Sequence, residues 1–274
     1  MKKLLLAGAI AIFLFTSMVA ENKTSTVHNS SNKQTISRPD NATAISNWVD
    51  SLYKTMNLAD AGLSSSVFFC ACKGYQYLLS ENVLAKPGLL TICDFSQSSS
   101  KKRLYVLDLD KGKILFNTYV AHGHNSGTNY ATSFSNGDES HKSSLGFMVT
   151  AETYNGDNGY SMRFDGMENG FNNNVRARSI VMHGSDYVNA ERAQNGTMMG
   201  RSFGCPAVPA GEVKTIIDHI KGGSCFFDYY PDANYTKASG ILNANFTWPL
   251  LAQVASVKSF DTLSGSMADS KFIN

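Results

Sequence analysis

Ile45, Trp48, Val49, Leu52, Tyr53 and Met56 recur at steps of three and four residues, with mostly polar residues between them. That spacing lines apolar side chains along one face of a helix, so a helix is expected from residue 45. A second is expected after Ser64, whose hydroxyl suits an N-cap, with Val67, Phe68, Ala71, Tyr75, Leu78 and Leu79 on one face. Pro87 and Gly88 break the pattern. Beyond them, "LLTICDF" (89–95), "RLYVLDL" (103–109) and "KILFNTYVA" (113–121) are short and rich in β-formers. "DKG" joins the last two as a hairpin signal. "LGFMVT" (145–150), "SIVMH" (179–183) and "SCFFDYY" (224–230) read as further strands. "YNGDNGY" and "GMENGFNNN" read as loops, because Gly and Asn dominate them. A short helix is expected over 212–221, with Ile216, Ile217 and Ile220 inward.

This pattern predicts a mainly β domain over 44–232, with two helices in 45–80 and a β-rich part from 89 to 232. Long strand–helix alternation is absent, which argues against a doubly wound sheet. At 274 residues one main domain with flanks is the natural division. The flanks differ in character. Residues 1–20 carry two lysines, an apolar run from Leu4 to Phe15 and then small residues, the layout of a secretory signal peptide. The run is shorter than the ~20 residues that span a bilayer, so no transmembrane helix is expected after cleavage. Residues 21–43 are rich in Asn, Ser, Thr and Lys and read as a disordered linker. Residues 233–274 show weak periodicity and are read as a tail of unassigned role. The chain is therefore expected to be exported.

A net charge of +2 gives no reason to invoke nucleic acid. The 16 Phe and 12 Tyr favour strands over long helices. Export changes what the cysteines mean. There are five (Cys70, Cys72, Cys93, Cys205 and Cys225), so an odd count leaves at least one thiol free. If Cys205 is that thiol, the other four allow three pairings or none, and Cys70 and Cys72 are too close to pair easily. "HGH" (His122, His124) lacks further ligands at a telling spacing, so no metal is expected there.

Cys205 lies in "SFGCPA" (202–207), between a glycine and a proline. A thiol is mostly protonated at neutral pH, and the thiolate is the nucleophile. A nearby imidazole can take the proton and return it to a leaving group. Gly204 permits the sharp turn that exposes the thiol, and backbone N–H groups at Gly204 and Cys205 are candidate oxyanion donors. His183 ends the expected strand "SIVMH" and is the candidate base. Gly184 follows it and is expected to open room for substrate. Arg201 and Arg178 are candidate carboxylate binders.

"HGSDY" (183–187) followed by "GRSFGCPAV" (200–208) resembles the active-site signature of the L,D-transpeptidases, in particular their divergent murein L,D-transpeptidase catalytic-domain branch. "VAHGHNSG", "SSLGFMVT" and "IKGGSCFFDYYPD" also look like segments of that branch, in the same order. The resemblance runs from about Ala71 to Tyr235. It implies a β-sandwich or barrel catalytic domain with a short helix after the cysteine. It further implies acyl transfer on peptidoglycan stem peptides, with Cys205 as nucleophile and His183 as base and acid. L,D-carboxypeptidase hydrolysis of the same bond and non-catalytic wall binding are the alternatives. The resemblance also implies acylation of Cys205 by carbapenems, no cofactor, and stem peptides as the partner of a monomer. Ser202 matches the Ser or Thr before the Gly-Cys pair, and the "HGHNSG" stretch, with His122 and Ser126, is placed beside the cleft. The chain departs from better-known relatives at Ala207, where they usually carry Arg, and at Phe203, where they often carry His. Substrate anchoring therefore does not carry over.

Overall fold

The structure is a computed structural model that describes residues 41–200 and 202–247. The expected signal peptide, nearly all of the expected linker, Arg201 and the end of the expected tail lie outside the described residues. Two helices, α1 (Asn41–Thr55) and α2 (Ser65–Ser80), open the fold. Helix α1 begins earlier than the apolar spacing indicated, taking in the last three residues assigned to the linker. Helix α2 starts as its polar signal indicated, with Ser64 Oγ accepting from the Val67 N–H at 3.4 Å.

Eight strands follow: β1 (Leu89–Asp94), β2 (Leu104–Asp108), β3 (Lys113–Thr118), β4 (Gly146–Gly156), β5 (Gly159–Gly166), β6 (Val181–Ser185), β7 (Ala207–Pro209) and β8 (Cys225–Tyr229). They form one mixed sheet in the order β3-β2-β1-β8-β4-β5-β6-β7, and the domain is mainly β. Helices α3 (Ala190–Gln194), α4 (Val213–Ile220) and α5 (Ala233–Ala238) complete it. Helix α4 is the short helix expected after Cys205.

Period-two alternation explains why the central strands are apolar on both sides. Leu90, Ile92, Tyr105, Leu107, Phe147, Val149, Cys225 and Phe227 face the helices α1 and α2. Cys93, Leu104, Val106, Met148 and Phe226 face the other core, closed by Ile216, Ile217 and Ile220 of α4. Phe147 and Phe227 stack with centroids 3.9 Å apart. Gly74 of α2 lies over this pair, and a Cβ there would fall 2.0 Å from Phe147 Cζ.

Two stretches fold differently from their sequence reading. "YNGDNGY" is the tip of the β4–β5 hairpin, with Gly156 paired to Gly159 across Asp157 and Asn158. Gly159 takes φ +71°, a turn that glycine accepts freely. The stretch set apart from residue 233 continues into the core through α5, where Tyr235 and Ile241 are buried. Its anchor is Glu168, in the Asn-rich segment read as a loop. This buried carboxylate accepts from the Phe147 N–H at 2.7 Å, from Tyr235 Oη at 2.8 Å, and from Ser239 Oγ. Burial pushes the Glu168 carboxyl up, and the three donors oppose that push.

Glu168→Ala would leave three buried donors unpaired at 1–3 kcal/mol each, so a loss of about 3 kcal/mol or more is expected. Urea denaturation measures it, and a change under about 0.5 kcal/mol would show that residues 233–247 do not depend on this anchor.

Candidate active site

Strand β6 holds His183 at its centre. The strand was expected to end there, but it runs on to Ser185 because β7 pairs alongside in parallel. The register is His183 with Ala207, Gly184 with Val208 and Ser185 with Pro209. Paired residues of parallel strands point to the same face. Two residues before Ala207, Cys205 comes opposite Val181, and the Val181 N–H reaches Cys205 Sγ at 3.4 Å. The thiol also lies 3.8 Å from the Ser179 carbonyl. Cys205 precedes the paired part of β7 and packs against the core that holds Met182 and Val208, whereas Ala207, the partner of His183, belongs to another cluster.

His183 Nδ1 lies 3.0 Å from the Gly184 carbonyl oxygen. A carbonyl accepts only, so Nδ1 carries the proton and Nε2 presents its lone pair. Gly184 therefore orients the imidazole through its backbone. Its missing Cβ serves packing and does not open room for substrate: a Cβ would fall 2.8 Å from Val213 Cγ1 and 3.1 Å from Ala210 Cα. Burial holds the His183 imidazole below its ordinary value of 6.5, against the Gly184 carbonyl. Burial also pushes the Cys205 thiol above its ordinary 9.0, opposed by the Val181 N–H and the Arg178 guanidinium. Both shifts favour the neutral thiol–imidazole pair.

The turn at Gly204–Cys205 is fastened by Ser202. Its hydroxyl donates to the Cys205 carbonyl at 2.7 Å and accepts from the Gly204 N–H at 3.2 Å. Ser202 thus uses its donor and one of its two lone pairs within the turn. The Gly204 N–H is likewise taken, which removes it as an oxyanion donor. Among the described residues, the Cys205 N–H has no partner and is the donor that remains. Gly204 adopts φ +115°, and a Cβ there would meet the Lys142 carbonyl oxygen at 2.6 Å. Gly204→Ala is expected to cost about 1–3 kcal/mol in chemical denaturation and to slow acylation of Cys205 about tenfold or more, because small misplacements are costly at a reacting centre. An acylation rate equal to wild type, read by intact mass, would show the turn to be dispensable.

His122 and Ser126, expected beside the cleft, are both fully buried. Ser126 Oγ accepts from the Ser143 N–H at 2.9 Å and shapes the loop between β3 and β4. His122 Nδ1 accepts from Arg103 Nη2 at 2.8 Å. Burial first, then the Arg103 charge, brings this imidazole down to about 4, so it is neutral and acts as a packing group. Gly200, just ahead of the Cys205 turn, packs on it: a Cβ there would fall 2.5 Å from His122 Nε2. Arg103 itself gave no signal in the sequence. It is fully buried, and its guanidinium donates to the carbonyls of Gln97 and Val120. Arg178, a candidate carboxylate binder, instead spends all four terminal N–H groups on Ser135 O, Ser144 Oγ, Ser140 Oγ and Lys142 O. Arg201 lies outside the described residues.

All five cysteines are free thiols, so none of the three pairings is formed. Cys225 is buried in the core and does not engage Cys205. Among the described residues, no cluster of three or more His, Cys, Asp or Glu could hold a metal.

The family profile described as "L,D-transpeptidase catalytic domain" matches residues 59–229. No curated protein matches the chain. Among solved structures, an L,D-transpeptidase from Mycobacterium smegmatis matches with 11% identity and a TM-score of 0.32, over 52% of this chain and 59% of that one. The helical cell shape determining protein Pgp2 from Campylobacter jejuni matches with 16% identity and a TM-score of 0.32, over 58% of this chain and 56% of that one. In both, this chain spans less than two thirds of the other's length.

Proposed function

The chain belongs to the L,D-transpeptidase catalytic-domain family, and from that premise we propose that it performs cysteine-dependent acyl transfer on peptidoglycan stem peptides. The observations that support this reading are the contact of the Cys205 thiol with β6 at the Val181 N–H, two residues before His183, and the His183 Nδ1 tied to Gly184 O. The buried thiol holds its proton at neutral pH, so it needs a base, and His183 Nε2 is the available lone pair.

In the first half-reaction, Nε2 takes the thiol proton as sulfur attacks the carbonyl ahead of the terminal D-alanine. The Cys205 N–H faces the developing oxyanion. The C–N bond breaks, and His183 passes the proton to the departing amine. This leaves a thioester on Cys205 and a neutral imidazole. In the second, a neighbouring stem's amine attacks the thioester. His183 takes the amine's proton, the C–S bond breaks, and the proton returns to sulfur. No residue in this scheme requires a metal or a cofactor.

No helix among the described residues is long and apolar enough to cross a membrane. Action as an exported monomer at the cell wall belongs to this proposal, and so does a catalytic unit that opens near residue 44. The test is muropeptide analysis by mass spectrometry after incubation with the purified protein. Cross-linked dimers are the expected result. Shortened stems alone would mean hydrolysis, and unchanged muropeptides would mean wall binding without turnover. A carbapenem is expected to add its mass to the wild-type chain and not to Cys205→Ala. An active wild-type enzyme without adduct would count against an accessible, activated thiol.

A further inference from the structure

Arg103, the residue ahead of β2, is fully buried. A charged side chain is rarely taken wholly out of water unless an opposite charge goes with it. Among the described residues, no carboxylate forms an ion pair with this guanidinium. Asp94 and Asp228 act on it from beyond ion-pair distance, and the Phe95 ring covers it at 5.1 Å. Its desolvation is costly, and no carboxylate contact offsets it. The fork instead holds one piece of chain. Nε and Nη2 donate to the Val120 carbonyl at 3.1 and 2.9 Å, and Nη2 also reaches His122 Nδ1 at 2.8 Å. Nη1 donates to the Gln97 carbonyl at 2.8 Å.

The segment so held, residues 120–124, is the one that carries the Cys205 turn. After the turn, the Ala207 carbonyl accepts from the Ala121 N–H at 2.8 Å. Before it, the Ser202 carbonyl accepts from the His124 N–H at 2.6 Å. Between these, the Gly123 N–H donates to Ser143 Oγ at 3.0 Å, and that hydroxyl donates to the Gly204 carbonyl at 3.3 Å. On its inner side His122 sets Nε2 against Gly200. The turn is thus gripped on both flanks and at Gly204. The segment that grips it belongs to no strand, and its bridges to Ala207 and Ser202 are isolated ones. Among the described residues, Arg103 is what meets its inner acceptors, the Val120 carbonyl and His122 Nδ1.

We propose that Arg103 is a positioning residue: by clamping segment 120–124 from within the core, it fixes the turn that brings Cys205 Sγ to the Val181 N–H of β6. Its effect on rate rests on the acyl-transfer reading above, and its effect on geometry stands without it. Lysine at this position keeps the charge. Its ammonium cannot present a planar fork to Val120 O, Gln97 O and His122 Nδ1 together. A buried acceptor is then left without a partner, and the segment shifts to recover one. The shift passes through Ala121, Gly123 and His124 to the turn. Small misplacements at a reacting centre are costly in rate, whereas binding of the donor before reaction draws on none of these contacts.

Two measurements separate positioning from a merely structural role. Glu168→Gln is the control, since it weakens a buried anchor in the helix-side core. The first measurement needs no reaction. Cys205→Ala takes the sulfur away from the Val181 N–H and is expected to move the Val181 amide resonance in NMR. In an Arg103→Lys background that movement is expected to fall by about half or more, and in Glu168→Gln to stay undiminished. A full movement in Arg103→Lys overturns the proposal even if the enzyme is active. The second follows acylation of Cys205 by a carbapenem, by intact mass, over a range of concentrations. Arg103→Lys is expected to lower the limiting rate about tenfold or more and to leave the half-saturating concentration within about twofold, while Glu168→Gln leaves both within about twofold. An unchanged limiting rate, or a rise in the half-saturating concentration alone, overturns the proposal. Should Arg103→Lys not fold, His122→Asn takes its place in both measurements. Asparagine keeps an acceptor for Arg103 but withdraws the ring from Gly200, so a fall of about threefold or more in limiting rate is expected. Wild-type values in both measurements overturn the clamp. A wild-type chain that forms no acyl-enzyme rejects the acyl-transfer reading and leaves the NMR result to judge the clamp alone.

Discussion

Cys205→Ala is expected to form no acyl-enzyme and to release no D-alanine from stem peptides, a loss on the order of a thousandfold or more. The sulfur is the proposed attacking atom, and no other thiol can replace it. Cys72, Cys93 and Cys225 are buried, and burial pushes each of their thiols up. Cys70 is half-buried on α2 and packs against the core beneath the helices, whereas Cys205 packs against the other core. The substitution removes one contact to the Val181 N–H and one to the Ser179 carbonyl at a half-buried site. The protein is therefore expected to stay folded, and its melting midpoint serves as the control. Stem peptides should still bind, so the defect falls on turnover. A Cys205→Ala protein that keeps more than a small fraction of wild-type turnover would refute the mechanism.

His183→Ala is expected to lower kcat/KM by about 10²- to 10⁴-fold near neutral pH, the usual contribution of a positioned general base. The pH profile separates this role from a merely structural one. In the wild type, the imidazole lies below 6.5 and the thiol above 9.0. The active form is neutral thiol with neutral imidazole. Activity should therefore fall on the acid side only below pH 6.5, as His183 takes up a proton, and hold across the neutral range. In His183→Ala that acid limb should vanish. The deficit should shrink above pH 9.0, because the thiolate then forms without help. A variant whose deficit is the same at every pH would point to a packing role for His183 instead.

Much of this was written in local pattern. The helical spacing of Trp48, Val49 and Leu52, the Ser64 cap, the hairpin turn after Asp110 and the apolar runs of β1, β2 and β8 are set by neighbours in sequence. The family was legible too, because a cysteine between Gly204 and Pro206 and a histidine ahead of Gly184 are local signals. The roles of other residues were not. Ser202, Gly184, His122, Ser126 and Arg178 all had the right composition for substrate contact, yet each is spent on the frame: a turn, a helix contact, a buried imidazole and two loops. Strand β5 was hidden because glycines at both ends of its hairpin imitate a loop. The stretch after residue 232 looked unstructured because Tyr235 and Ser239 find their partner, Glu168, some seventy residues earlier.

The sequence alone determined which residues alternate, where helices start, and which thiol and imidazole have the right local setting for chemistry. These depend on interactions within a few residues, which a linear pattern records. Only the tertiary structure decided that β7 runs parallel to β6 and that the Cys205 thiol meets β6 at Val181, two residues before His183. It also decided that the His183 imidazole is held by the Gly184 carbonyl, and that Phe203 and His141 stack. Those outcomes come from the pairing of distant strands and the packing of loops, where burial and hydrogen-bond geometry select among contacts that no local pattern distinguishes.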